Sequence, residues 1–437
     1  MSVCATVIVW LGGPRAHGAG QRYIVVHVLS GILLLAGIAG QVAATGSIAI
    51  GAIALGSAAS WLMLLGILIN VAAWPMASWV PDAYPAASWS GAAFLSAFTT
   101  KAAVLLLIRV FAGAEVLVPV GLVMIAYGTL YAAREPDIRR MVAYALVVQL
   151  GFMVTAVGVG SDLALNGAAA HAVSGIFYQA LLFMVTGSVL VATGRSDCAD
   201  LGGLWRKMPV TAVCAAIGAA AIAAFPLTSG YVAKGMISDA VGAAGDPVAW
   251  FVVTAGAAAV VLHAGLRLPW AVFFGPRGPA SAAGDAAPSM RLAMSLLAAV
   301  IVAIGVFPSA FIALLPQVAP TEPYSASHVV SQVQLIAFAA LGLALVWRWV
   351  AAPRSITLDV DWLWRRLWPV IDLAFDGRSV RARMALGDRT LRGMERLVRT
   401  VYRHHGPEGI LARTWPTGSM ALSAVVLLAA YLAFYYL

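Results

Sequence analysis

Lysine is nearly missing from this chain of 437 residues, occurring only at positions 101, 207 and 234. Charged residues of every kind make up 10% of the sequence, and the eighteen carboxylates fall in loops or at the ends of apolar stretches. Cysteine is equally scarce. Cys4, Cys198 and Cys214 have no CxxC or paired spacing, which excludes a disulfide framework and an iron–sulfur or zinc site. There is no glycine-rich phosphate loop and no nucleophile–base pair, so nothing points to direct catalysis, and no cofactor motif is present. What is present is apolar. Hydrophobic residues are 62% of the chain and the mean hydropathy is +0.91, values that no soluble domain of this size tolerates. The N-terminal MSVCATVIVWLGGPRAHG places its apolar run before its first charge and does not read as a signal peptide.

Windows of about 20 apolar residues give eleven spans, at 23–43, 56–80, 91–112, 116–133, 141–160, 166–193, 209–240, 247–266, 292–314, 329–349 and 418–436. The expected fold is an all-α polytopic membrane protein with about eleven transmembrane helices. Loop charges test the count. One side collects Arg15, Arg22, Arg134, Arg139, Arg140, Arg195, Arg206, Lys207, Arg267, Arg277, Arg291 and the arginine-rich 351–414, whereas the other carries Glu115, Asp162, Asp239, Asp246 and Glu322. A wrong number of spans scrambles that separation. The positive-inside rule therefore supports eleven spans, with the N-terminus in the cytoplasm and the C-terminus outside. The same distribution accounts for the net charge of +9 without nucleic-acid binding. Three parts follow: a membrane body over 1–350, an amphipathic arginine-rich segment over 351–414 on the cytoplasmic face, and a last helix in 415–437.

Lys101 and Lys234 lie inside apolar spans. An ammonium at the bilayer centre costs at least about 2.5–3.5 kcal/mol, so two of them mark an ion path or are held by buried carbonyls that tie helices together. Each stands beside a helix-breaking signal. In span seven, AAFPLTSGYVAKG places Pro226 and Gly230 before Lys234, which predicts a discontinuous helix with freed backbone groups. In span three, FLSAFTTKAAV sets Thr99 and Thr100 against Lys101, where their hydroxyls solvate the lysine or bond back to carbonyls and bend the helix. His171 in span six is suited to passing protons near neutral pH, and equally to packing as a hydrogen-bonded core residue. Asn70, Gln149 and Gln179 hold water chains or act as interhelical glue. His27 and His263 share no helix at haem-ligating spacing. The spans contain bases but no acid, although buried relays normally pair the two. Either another subunit supplies the acid or part of the chain is missing.

These stretches resemble the proton-translocating antiporter-like subunits shared by Mrp-type sodium/proton antiporters and respiratory complex I. GILINVAAWPMASWVPDAYPAASWSGAAFLSAFTTKAAVLLLIRVF is similar to that family's most diagnostic region, with Pro75, Trp79, Pro81, Asp82 and Lys101 in register. REPDIRRMVAYALVVQLGF, HAVSGIFYQALLF, DLGGLWRKMP and FPLTSGYVAKGMI follow in the family's order, and the match covers roughly residues 20 to 270. The tail with LDVDWLWRR is similar to the end of some D-type antiporter subunits. The resemblance implies about fourteen helices with two inverted five-helix repeats, each holding a broken helix, around a hydrophilic axis. It implies that Lys101 is the central relay lysine, Lys234 the terminal site on the second broken helix, and His171 the first of a histidine pair. Gly175 stands at the second histidine, Gln179 where many members have lysine, Gln149 where some have histidine, and Asn70 where the first broken helix often has its own lysine.

Members of this kind carry a functional glutamate two residues before the methionine matching Met1. The resemblance thus implies that Met1 matches an internal methionine and that about 110–130 residues, four helices and most of a fifth, are lost before it, from the reading of the gene or from the gene itself. The expected function is that of a proton-conducting inner-membrane subunit, D-type, of a multi-subunit sodium/proton antiporter, with other membrane subunits as partners. The alternative is a membrane-arm subunit of NADH–quinone oxidoreductase or a membrane-bound hydrogenase, whose redox centres sit on other chains.

Overall fold

The computed structural model describes residues 2–280, 284–317, 322–350 and 359–360, together with 362, 366, 396, 400, 422 and 425–427. The chain divides into two compact units, Met1–Val360 and Asp361–Leu437. Apart from 359–360, 362, 366, 396, 400, 422 and 425–427, the expected segment 351–414 and span 418–436 lie outside the described residues.

The first unit is helical almost throughout. A nine-residue apolar helix, α1 (Ser2–Trp10), precedes α2 (His17–Thr45), and α3 (Ala58–Asn70) is followed after a break by α4 (Trp79–Ala86). Then come α5 (Trp89–Val110), α6 (Leu117–Arg134), α7 (Ile138–Val159) and α8 (Asp162–Thr193). A second broken pair, α9 (Pro209–Ile222) and α10 (Ser229–Ala243), leads to α11 (Pro247–Val260), which runs on as π-helical turns over Val261–Arg267 and Trp270–Phe274. α12 (Pro288–Val306), the short α13 (Pro308–Ile312) and α14 (Ala326–Val350) complete it. Among the described residues the β-pairing is one bridge, Asp137 to Asp197.

Eight of these helices are long and apolar enough to cross a membrane. With the two broken pairs they account for all ten spans that fall on described residues. The starts are set locally. Ser57 and Ser60 form a reciprocal capping box on α3, Ser88 accepts from Gly91 N at the head of α5, and Asp137 accepts from the Arg139 and Arg140 amides at 2.8 and 3.0 Å on α7. The side-chain oxygens satisfy helix-terminal N–H groups that have no intrahelical partner.

Packing centres on α7, which α6 and α8 cover along its length and α4, α5, α10 and α11 close around. The central window of α7 is 94% buried. α8, 32 residues long, connects the two halves by packing on α5 as well as on α9, α10 and α12. Two arginines expected in loops are instead buried at helix ends: Arg139 Nη2 donates to Ala87 O behind α4 at 2.9 Å, and Arg267 Nη1 donates to Ala133 O in the last turn of α6 at 2.8 Å. Cations there complement the negative end of the helix dipole. Asp359 is also buried, accepting from the hydroxyls of Tyr127 and Tyr144 at 2.7 Å each, so this one residue of the segment expected on the cytoplasmic face lies against α6 and α7.

Candidate functional site

One expectation about the breaks is overturned. α5 runs unbroken through Lys101, so span three is not one of the two discontinuous spans. The first break lies in span two, after Asn70, where a turn, the proline at 75 and a 3₁₀ turn over Met76–Ser78 separate α3 from α4. At the end of α3, Ile69 O accepts from Ala72 N at 3.1 Å and from Trp79 Nε1 of α4 at 3.0 Å. The threonines do not solvate Lys101. Thr99 stands beside Tyr23 and Tyr84, and Thr100 Oγ1 is buried without a hydrogen-bond partner among the described residues.

Lys101 is 6% exposed, and its Nζ donates to Ser96 O at 2.7 Å. That carbonyl lies five residues back on the same helix, the direction in which helical side chains lean. Asn70 Nδ2 donates to Ser30 Oγ at 2.6 Å, and Ser30 Oγ donates to Gly66 O at 2.9 Å, so Asn70 fastens α3 to α2. Gly175 on α8 faces the lysine: a Cβ there would lie 3.5 Å from both Lys101 Cε and Tyr178 Oη.

His171 sits on the same face of α8. Its Nε2 is 2.9 Å from Gln149 Oε1 of α7 and 3.3 Å from the Tyr178 hydroxyl. Nε2 donates to the glutamine when it carries the proton and accepts from the tyrosine when it does not. All three side chains are enclosed. Beyond the histidine, the Phe152 ring stands edge-on to His171 at 6.3 Å and beneath Lys234, whose Nζ is 4.9 Å from its centre.

Lys234 is 3% exposed on α10, and its Nζ donates to Ile222 O, the last residue of α9, at 3.0 Å. The expected break in span seven is thus present, and the lysine crosses it to hold the carbonyl end of the first half-helix, where the dipole favours a cation. Gly230 allows this approach. A Cβ there would come 1.8 Å from Ala221 O, so only glycine lets the first turn of α10 lie against the end of α9. Ser174 Oγ of α8 donates to Ser229 O at 3.3 Å, tying the break to the histidine helix.

The structure therefore gathers Lys101, Gln149, His171 and Lys234 into one buried polar course through α5, α7, α8 and α10, with the charge of both lysines reaching His171. Along it, Thr100 Oγ1, Gln149 Nε2, His171 Nδ1, both polar atoms of Gln179 and Ser229 Oγ find no hydrogen-bond partner among the described residues. Buried polar atoms are almost always satisfied, by protein or by ordered water. Ordered water is the partner available to such atoms where the protein supplies none. Tyr178 and Phe152 were missed from the sequence. Tyr178 carried a signal, being seven residues from His171 and hence two turns along the same helix face; Phe152 is one apolar residue among many.

The family described as NADH:quinone oxidoreductase/Mrp antiporter, TM, matches residues 1–261. The chain belongs to this family. Among its relatives, the A/B component of a probable K(+)/H(+) antiporter of Rhizobium meliloti is 33% identical over 40% of this chain and 18% of its own. The N component of NADH-quinone oxidoreductase of Desulforudis audaxviator is 28% identical over 53% and 51%, and the D component of the Na(+)/H(+) antiporter of Alkalihalophilus pseudofirmus is 25% identical over 54% and 52%. The chain thus spans from about a fifth to about half the length of these relatives. A chain of the Mrp complex from Dietzia sp. shares the fold with a TM-score of 0.66 at 22% identity, over 70% of this chain and 69% of that one. Respiratory complex I from Thermus thermophilus gives 0.63 at 23%, over 71% and 72%. This antiporter-like member is a multi-pass membrane protein, and its two broken helices and buried lysines are embedded in the family's fold.

Proposed function

We propose that the chain conducts protons as a D-type membrane subunit of a monovalent cation/proton antiporter in the cell's inner membrane. The observation that carries the reading is the course of unsatisfied polar atoms joining two buried lysines through His171. Lys101 relays protons centrally, His171 bridges with Gln149 and Tyr178 as its hydrogen-bond neighbours, and Lys234 exchanges protons at the broken helix. In a low-dielectric interior a proton arriving at one lysine alters the energy of protons on its neighbours, which is the coupling a stepwise relay needs. An ammonium on a helix carbonyl can give up a proton to water and swing without leaving an orphaned charge. Sodium is the coupled cation of this reading, and other membrane subunits are its partners. The N-terminus of this chain faces the cytoplasm and the C-terminus the outside, as the loop charges require.

A second reading keeps the proton path and changes the assembly to the membrane arm of a redox-driven complex. The likeness to the N component of a quinone oxidoreductase favours it.

The test is Lys101→Ala in the complete assembly, in everted membrane vesicles, with a pH-sensitive dye. Sodium-driven proton movement is expected to vanish while the subunit stays in the membrane at its normal level. Wild-type proton movement in that variant refutes the relay. Proton movement driven by NADH but not by sodium selects the second reading.

A further inference from the structure

α11 leaves the α-helical register at Val261, and through Arg267 it is π-helical, with Leu268 N donating five residues back to His263 O. Pro269 explains the change, since it has no N–H to continue the α ladder and the turn before it widens. Short π-helical turns inside α-helices are frequent at functional sites. Within this one lies His263, which is 0% exposed and has neither ring nitrogen hydrogen-bonded among the described residues.

The widened turn touches the second helix break. A Cβ on Gly265 would lie 2.9 Å from Ala223 Cβ, the residue after the Ile222 whose carbonyl holds Lys234. Gln332 of α14 donates to Ala223 O at 3.4 Å from the other side. His263 lies within electrostatic reach of both Lys234 and Arg267. Arg267, one π-turn further on, is fixed to the end of α6.

A neutral imidazole offers one donor and one acceptor, and leaving both unmet in a dry interior is unfavourable. An apolar side chain would fill the same space without that cost. Ordered water is the partner that buried polar atoms take where the protein offers none.

We propose that His263 is a further proton-carrying residue of the axis, extending it from Lys234 across the break towards the end of the bundle where Arg267 is held. This rests on the proton-conduction reading above. The ring takes a proton from a hydronium at one nitrogen and releases the one on the other to water, changing only its tautomer, and a ring flip restores it for the next proton.

The test uses everted vesicles carrying the complete assembly, a pH-sensitive dye, sodium chloride as the trigger, and Lys101→Ala as reference. Initial rates in His263→Ala are expected to fall about a hundredfold or more, the range assigned to positioned proton carriers. Added imidazole is expected to restore the rate in His263→Ala but not in Lys101→Ala. If the alanine variant does not reach the membrane, His263→Gln decides, because glutamine keeps hydrogen bonds on both sides but carries no proton. Loss of rate in an assembled glutamine variant supports the proposal. A glutamine variant at the wild-type rate, or an assembled alanine variant that is fast or that imidazole does not rescue, overturns it. Should Lys101→Ala also transport at the wild-type rate, the conduction reading itself fails; if only the His263 variants do, the axis stands without this residue.

Discussion

Replacing Lys234 with methionine separates the role of its charge from the role of its bulk. The ammonium makes one charge-assisted hydrogen bond to Ile222 O at 3.0 Å, of a kind that contributes about 1.5–3 kcal/mol. It also lies 4.9 Å from the centre of the Phe152 ring, a desolvated cation–π contact of about 2 kcal/mol. Against these stands the cost of holding an ammonium within the membrane, at least about 2.5–3.5 kcal/mol on insertion scales. The two sides cancel to within about 1–2 kcal/mol, and methionine refills the volume of the lysine stem. Lys234→Met is therefore expected to assemble at near-normal levels and to melt within a few degrees of the wild type, while proton movement in everted vesicles is lost. Melting is read by detergent-solubilised thermal unfolding, transport by dye quenching. Transport at the wild-type rate in an assembled variant refutes the role given to the charge. A protein too unstable to assemble refutes the energetic balance, and with it the view that the lysine is retained for function rather than for packing.

Two further outcomes follow from the packing. Gly230→Ala brings a Cβ to 1.8 Å from Ala221 O, so α10 must move off α9. A loss of about 1–3 kcal/mol in thermal unfolding is expected, together with slowed proton movement as Lys234 is drawn from Ile222; an unchanged melting curve contradicts the close approach. Asp359 accepts from Tyr127 and Tyr144, so a double-mutant cycle between Asp359→Ala and Tyr144→Phe is expected to show a coupling of about 1 kcal/mol or more, and strict additivity would remove that contact.

The local features of the chain were legible in its residues because they depend on neighbours within a turn or two. Apolar windows located ten spans that the structure matches with a helix or a helix pair, since backbone groups in lipid must be satisfied within their own segment. Pro226 and Gly230 announced the break before Lys234 for the same reason. The first break was misplaced by the threonines. Thr99 and Thr100 have the residue types of a bend beside Lys101, yet the tyrosines that stand beside Thr99 come from α2 and α4 and cannot be read from its own helix. The break falls instead after Asn70, in a stretch whose Pro75 the apolar window absorbs into span two.

Burial was beyond reach of the sequence. α2 and α7 have mean hydropathies of 2.1 and 2.0, yet the window is 22% buried in one and 94% in the other. In water an apolar surface must turn inward, but in lipid both sides of a helix are equally at home, so hydropathy stops distinguishing core from periphery. The residue types alone determined a membrane helix bundle with lysines where a bilayer should be. Only the tertiary structure decided that Lys101, Gln149, His171 and Lys234, drawn from four helices and separated by up to 133 positions, share one buried course, because that depends on which faces of equally apolar helices meet.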